Sequence, residues 1–223
     1  YYLGGPLVIK KITATDTTAT IGGSAFKNVM IVAKNSVDKS ASATGIYLNP
    51  GADVSVLGER ISITAINEYE DASSRAIEFG VANGHNQSKL VLGDTNTKTI
   101  DIVSHSKGEA IGIFVSGGVG VSQNAHAQIN GGMLNVNVRG DSNGKLVSGI
   151  HVANNTANET MPGSGAVLEI NADKTMIKSN GIGVSAYSNG TLKVKGDLAV
   201  EAATAVSARG YSKIEINKDK QNT

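Results

Sequence analysis

Apolar and polar residues alternate with a period of two in short runs along the whole chain. Examples are Val54-Ser55-Val56, Ile61-Ser62-Ile63, Ile100-Asp101-Ile102, Val136-Asn137-Val138, Leu168-Glu169-Ile170, Leu192-Lys193-Val194 and Ile214-Glu215-Ile216. Such alternation marks strands that bury one face, and no segment carries an apolar stripe at helical spacing. Clusters of Gly, Asn, Ser and Thr separate the runs, and these residues favour tight turns. Ile and Val together outnumber Leu more than three to one, and Gly occupies 27 positions. β-Branched residues pack well on a pleated surface, so the expected fold class is all-β: a sandwich, a barrel or a solenoid.

Internal repetition separates these. Val184-Ser185-Ala186 and Val206-Ser207-Ala208 lie 22 residues apart, and the same offset lays Leu192-Lys193-Val194 on Ile214-Glu215-Ile216. Inward positions stay apolar while outward ones vary, as in a stacked repeat. Traced backwards, each unit has a first strand opening with Gly or Ala (Gly45, Ala76, Gly112, Gly149, Gly183, Ala205), then a second and a third alternating strand. Second strands end in corners such as Gly58-Glu59, Gly93-Asp94, Ala172-Asp173 and Gly196-Asp197. Longer units place their excess in polar stretches at 67–74, 82–88, 116–123, 141–145 and 154–164, which read as projecting loops. Leu7-Val8-Ile9, Ala19-Thr20-Ile21 and Val29 to Val32 suggest an N-terminal coil whose register the sequence leaves open. Three short strands per unit predict a right-handed, single-stranded parallel β-helix of about seven coils with loop insertions, filling residues 1–223 as one domain. At about 4.8 Å per coil this is a rod of roughly 30 Å. A two-sheet sandwich satisfies the same strand lengths.

Composition narrows the partners. The net charge is +1 with only four Arg, which supplies no basic footprint for nucleic acid or an anionic membrane. Zero Cys excludes a disulfide framework and a thiolate metal site. The longest apolar runs are too short for a transmembrane helix, and Tyr1-Tyr2-Leu3-Gly4-Gly5 lacks the pattern of a signal peptide, so an export signal is absent or already removed.

The Gly-Ile-x-Val first strands, the Leu-x-Ile second strands, the abundance of Asn, Ser, Thr and Gly, and the absence of Cys resemble the β-helical passenger domains of Gram-negative autotransporters. The resemblance covers essentially the whole chain. It implies a fragment of a longer passenger, exported and held at the cell surface by an outer-membrane barrel lying elsewhere in the parent protein. It further implies an adhesin or an aggregation or biofilm factor. The Gly-Asp-Ser-Gly element of the serine-protease passengers is missing, the nearest text being Gly140-Asp141-Ser142-Asn143.

Candidate chemistry is sparse. Arg139-Gly140-Asp141 matches the tripeptide that integrins read, and a Gly-Asp turn is its plain structural alternative. The polar 67–74 and 154–164 stretches are the candidate contact loops, because the coil does not require that length, and in the second Asn154, Asn155, Asn158 and Glu159 are the candidate contact residues. His85, His105, His126 and His151 fall on different sides of the coil, which argues against convergent zinc ligation. Gly117 to Val121 lacks the Asp of a calcium β-roll, so no metal and no cofactor is expected. Asn130, Asn171 and Asn217 end second strands at equivalent places and predict stacked amides at a corner. The expected function is adhesion to host or matrix proteins, glycans or identical molecules, without catalysis. The alternatives are a polysaccharide lyase or hydrolase on the same fold, or a passive stalk.

Overall fold

The alternating runs become strands that pair only in parallel, each with the run one repeat away. The structure, a computed structural model, describes residues 7–23, 26–37, 40–79, 87–117, 125–141, 144–154 and 165–217, the side chain of residue 154 excepted. It contains 17 strands and no helix among the described residues. In chain order the first six are β1 (Leu7–Ile9), β2 (Ile12–Ala14), β3 (Thr18–Gly22), β4 (Asn28–Asn35), β5 (Ala43–Leu48) and β6 (Asp53–Leu57). Then come β7 (Arg60–Asn67), β8 (Ser74–Phe79), β9 (Ser88–Leu92), β10 (Thr99–Ser106), β11 (Ala110–Gly117) and β12 (Ala125–Arg139). The last five are β13 (Val147–Asn154), β14 (Val167–Tyr187), β15 (Thr191–Val194), β16 (Asp197–Ala208) and β17 (Lys213–Ile216).

Three ladders account for every pairing. On the first face β2, β5, β8, β11, β13 and the ends of β14 and β16 succeed one another. On the second face the order is β3, β6, β9, the start of β12, the start of β14, β15 and β17. The third face runs β1, β4, β7, β10, the end of β12, the middle of β14 and the start of β16. β12, β14 and β16 therefore pass from face to face without leaving extended structure, with a register shift between Ser179 and Ile182. The fold is an all-parallel β structure consistent with a β-helix.

The 22-residue offset holds residue by residue: Val184 pairs with Val206 and Leu192 with Ile214. Ile46, Ile77, Ile113, Ile150 and Val184 form one column, each pairing with the next. These five side chains are fully buried in a single aliphatic core shared by the three faces. β-Branched side chains, stiff at χ1, suit such a column because they lose little freedom when stacked. Leu7 pairs with Val29 and Ala19 with Val54, which fixes the N-terminal register, and β2 supplies a first strand that period-two alternation did not mark. Burial fades at the last level, where Val206 and Ile216 are 45% and 43% exposed.

Gly45, Ala76, Gly112 and Gly149, expected to open the first strands, stand third in β5, β8, β11 and β13, and their small size has a steric cause. A Cβ on Gly112 would stand 2.5 Å from the Gly149 carbonyl oxygen and 2.7 Å from Val136 Cγ1 on the third face. At this inner corner the two sheets converge until only a minimal side chain fits.

Candidate functional site

The corner between the third and first faces carries the Arg139-Gly140-Asp141 tripeptide. Asn35 and Asn67 pair across β4 and β7, and Asn67 pairs with Ser106 of β10. Asn67 is 2% exposed and donates through Nδ2 to the carbonyls of Ala41 (2.9 Å) and Ser73 (3.0 Å), while its Oδ1 accepts from the Tyr69 amide (3.2 Å). It is a buried corner bracket rather than part of a projecting loop. At the tripeptide, Gly140 is buried and held by Asn180: its amide donates to Asn180 Oδ1 (3.0 Å) and its carbonyl accepts from Asn180 Nδ2 (2.7 Å). The Asp141 amide donates to the Gly108 carbonyl (3.1 Å). Arg139 and Asp141 are exposed on either side of this pinned glycine, above a hollow of about 460 Å³ that includes His105, Lys107 and Glu68. Burial, together with the positive Arg139 alongside, holds the His105 imidazole below its ordinary pKa.

On the first face, outward side chains form a stack that the sequence reading missed. The Arg75 guanidinium lies 4.9 Å from the Phe114 ring centroid. Phe114 and His151 rings follow at 5.2 Å, His151 and Tyr187 at 5.3 Å, and Arg209 stands 5.8 Å from the Tyr187 centroid. A cation covers each end of an aromatic column, an arrangement that favours the electron-rich ring faces. Arg75 is ion-paired to Glu78 and, at 2.6 Å, to Glu109. His151 Nδ1 lies 2.6 Å from Ser185 Oγ, which superficially is half of a nucleophilic pair. Ser185 is fully buried, however, and burial with the nearby Arg75 charge pushes the imidazole down to about 4, too low for an efficient base at neutral pH. Only the register reveals the stack, because Phe114 and His151 are 37 positions apart in sequence and adjacent in space.

The corner between the second and third faces opens into a groove of about 1260 Å³. Two residues, Gly58-Glu59, turn this corner between β6 and β7, whereas six, Gly93–Lys98, separate β9 from β10. The extra length forms a wall. Thr97 is buried and locks it: Oγ1 donates to the Gly58 carbonyl (2.7 Å) and accepts from the Asp94 amide (3.0 Å), and the Thr97 amide donates to the Asp94 carbonyl (3.1 Å). Lys98 Nζ reaches Glu59 Oε1 at 2.8 Å and holds that carboxyl below the usual range. Asn130 and Asn171 stack as predicted, Asn171 Nδ2 donating to Asn130 Oδ1 (2.9 Å). Asn217 does not continue the pair, because the Lys195 level lies between: Lys195 donates its amide to Ile170 and Asn217 to Val194. The jump from a two-residue to a six-residue connection is the sequence signal that could have found this wall.

The remaining expectations divide by location. His105, His126 and His151 stand on β10, β12 and β13, hence on three different faces. Asn154 ends β13, while Asn155, Asn158 and Glu159 lie outside the described residues, as do His85 and 118–124 of the glycine-rich stretch. No group of three or more His, Cys, Asp or Glu able to hold a metal is present among the described residues. Fold and corners together define an all-parallel β protein with recessed polar corners. Comparison with protein-family models, with curated proteins and with solved structures finds no match to this chain.

Proposed function

We propose that the chain is a right-handed, single-stranded parallel β-helix of about seven coils, part of the passenger of an autotransporter-like bacterial surface protein. It would act there as an adhesin or as an aggregation or biofilm factor. The right hand follows from the strong preference of parallel crossover connections. A barrel elsewhere in the parent protein would anchor it in the outer membrane, with host or matrix proteins, glycans or identical molecules as partners. The action is contact rather than catalysis.

One observation carries this reading: the outward rows are mostly polar and change in character from level to level while the inward columns stay aliphatic. On the third face Ser62, Asp101, Asn135 and Met176 succeed one another, and on the second face Gln128, Glu169, Lys193 and Glu215. A rigid sheet thus presents hydrogen-bonding groups about every 4.8 Å, so many weak contacts can act together. The test is display on otherwise non-adherent cells, scoring settling and surface binding. Wild type is expected to clump or bind. Loss on charge reversal at Glu169 and Lys193 identifies self-association, and loss on deletion within 154–164 identifies a separate partner. Displayed, folded protein that produces neither behaviour makes this segment a spacer and overturns the proposal.

A further inference from the structure

The geometry points to the groove at the second-to-third corner as a binding site for an uncharged oligosaccharide lying along the axis of the solenoid. This deepens the adhesive reading and rests on it only for biological purpose; the site itself is argued from its construction.

The groove is built rather than incidental. Its lining spans four levels, from Glu59 through the Gly93–Lys98 wall and Asn130 to Asp173, about 14 Å at 4.8 Å per level. That length suits a chain of several sugar rings. The wall is tied to the levels on both sides: Lys98 donates its amide to Glu59 (2.7 Å), while the Gly132 and Met133 amides donate to Thr97 and Lys98 (both 2.9 Å). A wall fixed in advance spares the ligand the entropy of ordering it. Two consecutive glycines, Gly131 and Gly132, pack directly against the wall. Gly131 has φ +148°, and a Cβ there would stand 2.9 Å from the Thr97 carbonyl oxygen, so bare backbone packs against the wall beside Asn130.

The lining chemistry selects the ligand class. Asp173 and the second oxygens of Glu59 and Asp94, whose first oxygens meet Lys98 Nζ and the Asn96 amide (both 2.8 Å), can accept sugar hydroxyls. The exposed Asn96 side-chain amide both donates and accepts, while Asn130 is held by Gly93 and Asn171. Leu57 and Val91, half-buried, supply apolar patches for the C–H faces of sugar rings. Three carboxylates face one ammonium, Lys98, which already pairs with Glu59. No arginine lines the groove, so phosphate, sulfate and uronate groups meet a repulsive field.

The test uses the purified chain with neutral tetrasaccharides of glucose, mannose, xylose and N-acetylglucosamine, and with tetragalacturonate and a heparin tetrasaccharide as anionic probes. Binding is followed by amide chemical shifts. At least one neutral tetrasaccharide is expected to shift Asn96, Gly131 and Gly132, with little sensitivity to salt. The pair Asn96→Ala and Asp173→Ala, both at exposed positions, should weaken it about tenfold or more while leaving the remaining spectrum unchanged. Lys193→Ala, on the second face outside the groove, should leave binding unaltered. No shift at about 10 mM of any neutral probe overturns the proposal. So does preferential binding of an anionic probe, or binding that survives the double substitution. Saccharide binding by a protein that fails to make displayed cells adhere sinks the adhesive reading alone. Adhesion that persists without saccharide binding sinks the groove alone.

Discussion

His151 shows how a single side chain takes its properties from neighbours one level away. Phe114 and Tyr187 flank its ring, Ser185 meets Nδ1, and Arg75 adds positive charge beyond Phe114. Burial, reinforced by Arg75, depresses the imidazole pKa to about 4 from the ordinary 6.5. Between those values the unfolded chain binds a proton that the folded chain refuses, so this residue makes stability fall as pH drops from about 6.5 to about 4. Above 6.5 both states are neutral and the effect vanishes. With allowance for partial solvent access the loss is about 2 kcal/mol. Denaturation midpoints of wild type and His151→Gln across that range should show the slope in wild type and its reduction in the variant; equal slopes would contradict the buried, neutral assignment. The sequence gives His151 no such distinction, because its spacing from the other histidines is close to the repeat and identifies no partner. Conversely, the glycines at 45, 112, 149 and 183 were recognisable as a repeating mark, although the reason, collision with the third-face column, required the structure.

At the scale of the element, alternation located most strands, since a strand buried on one side must show period two. It located corners less well. Asn67 read as the start of a loop because Asn favours turns, yet it ends β7 and satisfies three backbone groups from its buried position. Asn67→Ala should therefore cost about 2 kcal/mol in urea denaturation. Asn67→Asp should cost more, since a carboxylate would replace the amide that donates to the Ala41 and Ser73 carbonyls. Equal and negligible effects would mean that water serves these groups equally well. The tripeptide at 139–141 was visible as text, but the clamp of Asn180 on Gly140 was not, because those residues lie 40 positions apart and meet only across a level. Likewise the Asn130–Asn171 pair was legible from equivalent strand ends, whereas the interruption at Lys195 depended on counting levels through the shortest repeat.

The whole molecule follows from stacking like on like. Inward columns such as Ile46, Ile77, Ile113 and Ile150 repeat because every level needs the same filling, and this constraint made the parallel repeat legible from sequence. Outward rows carry no such constraint. The aromatic stack, which arises there, was consequently invisible until register placed its members together, whereas the groove wall left a mark in the sequence, the lengthened connection between β9 and β10. Both features depend on one claim: that the chain returns to the same place on each face one repeat later. The absence of cysteine allows a direct test, because engineered pairs have no native competitor. Thr64 and Val103 pair on adjacent levels of the third face and are directed outward, at a spacing of about 4.8 Å that lies within disulfide range. Thr64→Cys with Val103→Cys should oxidise to an intramolecular disulfide in folded monomer, whereas Thr64→Cys with Lys193→Cys, on a different face, should not. Efficient closure of the second pair, or failure of the first in folded protein, would contradict the level-on-level solenoid and the groove built upon it.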